Sequence, residues 1–301
     1  MNILNAIILG IVQGLTEFLP VSSSGHLALA QHILGLNNNN LFFDVMLHLG
    51  TLIAIFAVYY KTVFKLIKSF FSLSHKLIKS KFKLDKVDDD ERLLIAVIIG
   101  LLPLFLLFVP IPFVGENIKD LVERLHDSKY IMIITGIALI ITSVLLSIGL
   151  HTNKNVKSKS KVTYLDAIYI GFMQFIAAIF PGLSRSGSTL SIGLMRKIDK
   201  QTALDYSFVL GMPAMLAAAL VQIKEVVEHK GALDLDLNII LIGIIVSAVV
   251  GIFAIILFKW LLSTNKMSIF IIYTLIIGLI SIGVGIYEVI NNVNIFVGAT
   301  I

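Results

Sequence analysis

The sequence has no cysteine and few charged residues. Asp, Glu, Lys and Arg make up 14% of its 301 residues, whereas about 25% is usual in soluble globular domains. Hydrophobic residues account for 57%, and the mean hydropathy is +0.94. The shortage of charge excludes an ordinary soluble domain, a disordered chain and a basic nucleic-acid-binding protein, so the net charge of +5 has to be interpreted against a membrane. The absence of cysteine excludes disulfides, a thiolate nucleophile and cysteine-ligated metal sites.

Long apolar runs divide the chain. A helix that crosses the hydrocarbon core needs about 20 mostly apolar residues. Five runs without Asp, Glu, Lys or Arg meet this requirement, and a sixth is shorter and contains His48. Their ranges are 45–60, 93–115, 130–150, 206–223, 237–258 and 267–287. The sequence therefore predicts six transmembrane helices.

Two further apolar stretches, 1–36 and 164–198, differ from these six. Each is interrupted by a proline, a cluster of serines and a charged residue. A broken backbone at membrane depth is stable only where it is buried in protein or lines a wet cavity. We therefore predict two re-entrant helical hairpins, within an all-α integral membrane protein whose residues 1–301 form a single domain.

The distribution of Lys and Arg predicts the orientation. Eighteen of the 24 lie in four loops, and five lie in the opposite set of loops. The four basic loops are 61–92, 151–163, 196–200 and 259–266, and the opposite set comprises 116–129 and 224–238. Because basic loops stay on the cytoplasmic side, the second set is expected outside, together with the asparagine tip 37–40. The Lys-rich run 61–86 is expected to lie along the anionic inner leaflet.

The chain also contains an internal repeat. The matching pairs, at an offset of 161, are Leu4 to Ile7 with Leu165 to Ile168, Gln13 with Gln174, Pro20 with Pro181, Asp44 with Asp205, and Leu49-Gly50 with Leu210-Gly211. Each copy comprises one hairpin and three spans, and since three is odd, the second copy must be inverted in the membrane. Inverted repeats of approximately 1–150 and 162–301 would place a binding site near the midplane, where the broken helices meet.

The first hairpin carries a carboxylate at membrane depth. Gln13 and Glu17 are four residues apart, so both lie on one face of a helix that Pro20 ends. A carboxylate in the membrane costs about 2.5–3.5 kcal/mol and needs a partner. The candidate partner is Arg185 in the second hairpin.

Both hairpins have a serine-rich turn before their second helix. Hydroxyls at a helix start form an anion-binding turn, and an Arg adds a planar fork suited to phosphate. The candidate residues are Ser22, Ser23, Ser24 and His26 in the first turn, and Ser184, Arg185, Ser186 and Ser188 in the second. One carboxylate, one imidazole, one guanidinium and several hydroxyls in two symmetry-related turns are suited to phosphoryl transfer.

Simpler interpretations stay open for the individual residues. The serines alone can satisfy backbone groups freed at the helix breaks, and Glu17 with Arg185 can be a structural ion pair. His26 alone is more often a packed histidine than a catalyst. We interpret His48 and Asp44 as capping or interface residues, and Asp205, which matches Asp44 in the repeat, as structural.

Three motifs closely resemble the undecaprenyl-pyrophosphate phosphatase family, also called the bacitracin-resistance protein family. They are Gln13-x-x-x-Glu17, Pro20-Val21-Ser22-Ser23-Ser24-Gly25-His26, and Pro181-Gly182-Leu183-Ser184-Arg185-Ser186-Gly187. The resemblance implies a multi-pass enzyme of the bacterial plasma membrane that converts undecaprenyl pyrophosphate to undecaprenyl phosphate and inorganic phosphate. This reaction renews the lipid carrier for peptidoglycan synthesis and confers bacitracin resistance. Many members have Glu where this chain has Gln13. Since Gln cannot act as a base, Gln13 is expected to be either a hydrogen-bonding residue or part of the shell of a metal ion.

The resemblance also assigns roles. Ser23 is the preferred nucleophile, with Glu17 or His26 accepting its proton, although Glu17 activating water directly stays an alternative. Arg185 and the serine hydroxyls would neutralise phosphoryl charge. A divalent cation, Mg²⁺ or Ca²⁺, is implied, with Glu17 as the one firm carboxylate ligand. The site is expected to open to the outer face, and a homodimer stays open.

The alternative function is transport. Inverted repeats with broken helices are typical of secondary carriers. A carrier of this kind would flip a polyprenyl phosphate across the membrane, either alone or as a second activity.

Overall fold

The structure, a computed structural model, describes residues 1–36, 41–79, 86–110, 115, 117–126, 128–154, 157–228 and 236–296. These residues form helices joined by short connections, with two isolated β-bridges and no strand among them. The predicted asparagine tip 37–40 lies outside the described residues. The all-α prediction is confirmed.

Twelve α-helices follow one another along the described chain. They are α1 Ile3–Phe18, α2 Ser23–Ile33, α3 Leu41–Val58, α4 Tyr60–Ile78, α5 Asp89–Leu101, α6 Ile118–His126, α7 Ile131–Thr152, α8 Tyr164–Ile179, α9 Arg185–Met195, α10 Lys200–Glu228, α11 Leu237–Ser263 and α12 Ser268–Asn291. A 3-10 helix, Leu102–Phe108, continues α5.

Five segments are long and apolar enough to cross a membrane. They are Asp89–Phe108, Ile131–Thr152, Lys200–Lys224, Leu237–Ser263 and Ser268–Asn291. The bent pair α3 and α4 adds a sixth if it is counted as one span. The chain is therefore a multi-pass membrane protein. Five of the six predicted spans coincide with the five segments, and the sixth, 45–60, falls on α3 of the bent pair.

The predicted span 93–115 has different ends in the structure. Its helix begins earlier, at Asp89, because Asp88 caps it and Glu91 completes a capping box. The α-helix then tightens into the 3-10 helix at Leu102, where Pro103 lacks a backbone N–H. The described span ends at Phe108 instead of 115.

Helix α4 bends away from α3 by 86°. Phe64, Phe71 and Ile78 are exposed along one side, while Leu73 is buried against the rest of the protein. An amphipathic helix with lysines on its polar side suits the membrane interface. The path of the run 61–86 along the inner leaflet stays a prediction, and residues 80–85 lie outside the described part of the chain.

The two hairpins have the same construction. In each, a helix of 16 residues is followed by one of 11. Ser22 caps α2 by accepting from the Gly25 N–H, and Ser184 caps α9 by accepting from the Gly187 N–H. This likeness supports the duplication, and the halves 1–150 and 162–301 stay a prediction.

The tips of the hairpins touch each other. The Ser186 hydroxyl donates to the Leu19 carbonyl at 3.0 Å. A Cβ added at Gly25 would lie 3.3 Å from the Gly182 Cα, so glycine lets the two turns approach closely. The fold thus brings the two serine turns together.

Candidate active site

Glu17 lies at the centre of the contact between the hairpins. It is in the last turn of α1 and is 6% exposed. Its Oε1 accepts a hydrogen bond from Arg185 Nη2 at 2.8 Å, and its Oε2 accepts one from Ser23 Oγ at 2.6 Å. Gln13 Nε2 donates to the same Oε2 at 3.0 Å. The structure therefore places these four predicted site residues together.

The Ser23 hydroxyl lies beside a carboxylate. Ser23 is the first residue of α2, and its hydroxyl points at the Glu17 carboxylate. A hydroxyl within hydrogen-bonding reach of a base is the arrangement that activates a serine. The preceding residue, Ser22, has φ +71°, a conformation unusual for a residue with a side chain. Such strain, about 1–3 kcal/mol, is concentrated at functional sites.

Arg185 is the first residue of α9 and has unused donor capacity. Its Nη2 also lies 3.4 Å from Met215 Sδ, while its Nη1 is buried without a hydrogen-bond partner among the described residues. The guanidinium packs against α10 at Gly211, where any Cβ would overlap Nη1. A buried, unpaired guanidinium N–H next to a nucleophile is suited to binding an anionic oxygen.

His26 is held at both ring nitrogens. Nδ1 lies 2.9 Å from the Ser22 carbonyl, and because a carbonyl only accepts, Nδ1 carries hydrogen. Nε2 lies 2.8 Å from the Tyr273 hydroxyl, and the two rings are stacked with centroids 5.5 Å apart. Of the two bases predicted for Ser23, Glu17 is therefore the one that the serine hydroxyl contacts.

The other predicted serines differ in their hydrogen bonds. Ser184 Oγ accepts from the Gly187 N–H at 3.1 Å, and Ser24 Oγ lies 3.3 Å from Ser22 Oγ. Ser188 is fully buried, and its hydroxyl has no hydrogen-bond partner among the described residues. Phosphate binding stays a prediction for the whole set, Gln13, Ser22, Ser24, Ser184, Ser186 and Ser188.

The hydrogen bonds to Glu17 suit a carboxylate that is paired with a guanidinium better than one that binds a metal ion. Both carboxylate oxygens already accept hydrogen bonds, and Arg185 balances the charge. In the described part of the chain, His, Asp and Glu form no group of three or more that could hold a metal. These residues alone do not make a divalent-cation site.

Sequence reasoning missed two neighbours of the site. His48 Nε2 lies 3.7 Å from Glu17 Oε2, on the face of α3 that meets α1. The available signal was an imidazole inside an otherwise apolar span. Tyr273, which contacts His26, is one aromatic residue in a long apolar helix and gives no local signal.

Asp205 lies away from this site. It lines a cavity of about 290 Å³ between the start of α4, α5, the segment 160–162 and α10. Its Oδ1 accepts from the Tyr59 hydroxyl at 2.5 Å and lies 3.3 Å from Lys259 Nζ. Because these partners belong to the surrounding helices, the arrangement agrees with the structural role expected for Asp205.

Known proteins resemble almost the whole chain. The model of the family described as bacitracin resistance protein BacA matches residues 6–280. A protein named undecaprenyl-diphosphatase from Alkaliphilus metalliredigens is 37% identical over 94% of this chain and 98% of its own length. Proteins of the same name from Carboxydothermus hydrogenoformans and Methanosphaera stadtmanae are 36% and 35% identical over 92% and 94% of this chain, and over 95% and 98% of their own lengths. The chain therefore belongs to the bacitracin resistance protein BacA family.

Proposed function

We propose that this protein hydrolyses undecaprenyl diphosphate to undecaprenyl phosphate and inorganic phosphate, and that it thereby renews the lipid carrier for peptidoglycan synthesis and confers bacitracin resistance. The observation that carries the proposal is the contact of Ser23 and Arg185 with the same carboxylate, at 2.6 and 2.8 Å. The names and near full-length coverage of the relatives supply the substrate.

In the first step the terminal phosphoryl group lies next to Ser23 Oγ. The hydroxyl attacks phosphorus while Glu17 Oε2 accepts its proton. The bond from phosphorus to the bridging oxygen breaks, and its electron pair leaves with undecaprenyl phosphate. Arg185 Nη1 and the N-termini of α2 and α9 stabilise the charge on the transferred group, which is usually the largest catalytic contribution.

In the second step water releases phosphate from Ser23. The proton from the first step first leaves Glu17 for solvent. The water oxygen then attacks phosphorus as Glu17 accepts a proton from the water, and Glu17 passes this proton to the departing Ser23 Oγ. Direct attack by water activated at Glu17 is the alternative. The serine route is favoured because Ser23 Oγ already donates a hydrogen bond to Glu17 Oε2, with 2.6 Å between the two oxygens.

The lipid tail is proposed to enter sideways from the bilayer of the plasma membrane, with the site open to the outer face. The support is the Lys/Arg distribution, which puts both ends of the first hairpin outside. Because the chain has no cysteine, single cysteines report topology cleanly. Lys129→Cys should react with an impermeant maleimide on intact spheroplasts, and Lys154→Cys should react only after lysis. The reverse pattern would overturn the orientation.

A divalent cation is proposed to arrive bound to the diphosphate, because the described residues do not form a site of their own. Hard cations prefer phosphate oxygens. A chelator should abolish phosphate release, and added Mg²⁺ or Ca²⁺ should restore it. Full activity of chelated protein would exclude the requirement.

The direct test uses purified protein in detergent with undecaprenyl diphosphate. The wild-type protein should release phosphate, and Arg185→Ala should release almost none while keeping its elution profile. Turnover by Arg185→Ala near the wild-type rate would overturn the assignment of the site.

Flipping of a polyprenyl phosphate stays the second candidate. It is favoured by the two helix breaks of identical construction. A pure carrier would release no phosphate in detergent, where no gradient exists.

A further inference from the structure

His48 touches the proposed base and has no part in the mechanism above. Its Nδ1 lies 2.8 Å from the Asp44 carbonyl, so Nδ1 carries hydrogen. In the neutral ring Nε2 then holds a lone pair, and Nε2 lies 3.7 Å from Glu17 Oε2. The ring is 33% exposed, whereas the Glu17 side chain is 4% exposed.

Glu17 is poorly suited to keep a proton. Arg185, Ser23 and Gln13 all donate to its carboxylate, and such hydrogen bonds favour the ionised form. The overall reaction also releases a proton near neutral pH, because the second pKa of each new phosphate is about 6. A proton taken from Ser23 therefore needs a route out of the buried site.

We propose that His48 accepts this proton from Glu17 and passes it to water. This inference rests on the proposed hydrolysis. As the bond from Ser23 Oγ to phosphorus forms and the bridging bond breaks, the proton moves from Oγ to Glu17 Oε2 and then to His48 Nε2. The imidazolium keeps its Nδ1–H on the Asp44 carbonyl and loses the new proton to solvent, and Glu17 returns to the carboxylate paired with Arg185.

The surroundings of His48 support this direction of transfer. Among the described residues, the charged groups near His48 include Glu17 on α1, Arg185 on α9 behind that carboxylate, and Asp44 one turn away on α3. Gln31 on α2 donates to Asp44 Oδ1 at 2.8 Å, and α11 contributes the uncharged Ser247, which donates to the Leu47 carbonyl. The 3.7 Å gap is longer than a hydrogen bond, and catalytic contacts of this kind shorten when substrate binds.

The first test compares His48→Gln with His151→Gln, the same change at an exposed position of α7. His48→Gln should lower kcat about 10- to 100-fold, at the lower end of general acid–base effects, and leave KM within about twofold. The dependence of kcat on pH should differ between this variant and the wild-type protein, because the variant lacks one of the groups that carry the proton. His151→Gln should match the wild-type protein in kcat, in KM and in the dependence of kcat on pH.

Chemical rescue separates proton transfer from a structural role. Imidazole added to His48→Ala should restore several-fold activity, whereas pyrazole, which has the same shape but is a much weaker base, should not. An active wild-type protein whose His48→Gln variant keeps the wild-type kcat and pH profile, or an equal rescue by both compounds, overturns the relay alone. A wild-type protein that releases no phosphate overturns the proposed function and the relay with it.

Discussion

The two hairpins have one backbone design and carry different chemistry. The first turn reverses through Ser22 at φ +71°, whereas the second reverses through Gly182 at φ +88°, where a residue without a side chain is unstrained. Ser23 is partly exposed, while Ser186 and Ser188 in the second turn are buried. The two hairpins thus share a scaffold, and the proposed catalysis depends on how they differ. The first hairpin carries the proposed nucleophile and base, and the second carries Arg185.

Of the changes that distinguish the two hairpins, removal of the Ser23 hydroxyl should have the largest effect on phosphate release. Ser23→Ala should lower phosphate release by about 10³-fold or more, as loss of a nucleophile does in other covalent hydrolases. Ser263→Ala, the same change at an exposed position at the end of α11, is the control and should keep the wild-type rate. Full activity in Ser23→Ala would move the reaction to direct attack by water.

Gly50 and Gly211 occupy matching positions of the repeat and should respond differently. A Cβ at Gly211 meets the mobile end of Arg185, so Gly211→Ala should displace the guanidinium and lower kcat about 10- to 100-fold with little change in Tm. A Cβ at Gly50 meets Ser247 and lies 2.5 Å from the Ile244 carbonyl, so Gly50→Ala should lower Tm. Equal effects of the two changes on kcat and Tm would contradict the asymmetry.

The matching glutamines sharpen the same point. Gln13 donates to Glu17, so Gln13→Met should lower kcat about tenfold, which corresponds to the loss of one hydrogen bond to a charged group. Gln174 is buried, and its amide has no hydrogen-bond partner among the described residues. Gln174→Met should keep kcat within twofold and leave Tm unchanged or higher. A tenfold loss of kcat in Gln174→Met would show that the second hairpin takes part in the chemistry.

The smallest expected effect concerns the stability that the Asp166 carboxylate contributes at the start of the second hairpin. Asp166, outside the membrane-spanning helices, accepts hydrogen bonds from Lys159, Thr163 and Arg196. Burial acts to raise its pKa, but these bonds outweigh burial and hold the pKa at about 2. Its contribution to stability should thus be complete above the unfolded pKa of about 4 and be lost as pH falls towards 2.

The contribution of Asp166 to stability is measured as the difference in Tm between the wild-type protein and Asp166→Asn. The difference should be constant above about pH 5 and shrink between about pH 4 and 2. A difference that does not change with pH would show that the carboxylate contributes by its shape rather than its charge.

Much of the fold followed from local signals in the sequence. Charge gaps predicted the spans, and Pro20 and Pro181 with the serines after them predicted the hairpins. The sequence also paired Glu17 with Arg185, because a carboxylate at membrane depth needs a cation. His48 stood out as an imidazole in an apolar span, but its contact with Glu17 could not be predicted, since it depends on which face of α3 meets the first hairpin. Tyr273 gave no signal, because its contact with His26 depends in the same way on the face of α12. The end of span 93–115 was also misplaced, because Pro103 converts the last turns to a 3-10 helix.

The central claim is that Glu17 and Arg185, one from each hairpin, act as a unit in phosphate release. The most direct measurement is a double-mutant cycle of kcat/KM for Glu17→Gln, Arg185→Ala and the combined variant. Each single change should lower kcat/KM by about 10²- to 10⁴-fold, and the combined variant should be no worse than the poorer single one. Near-normal activity in either single variant, or losses that multiply in full, would contradict the claim.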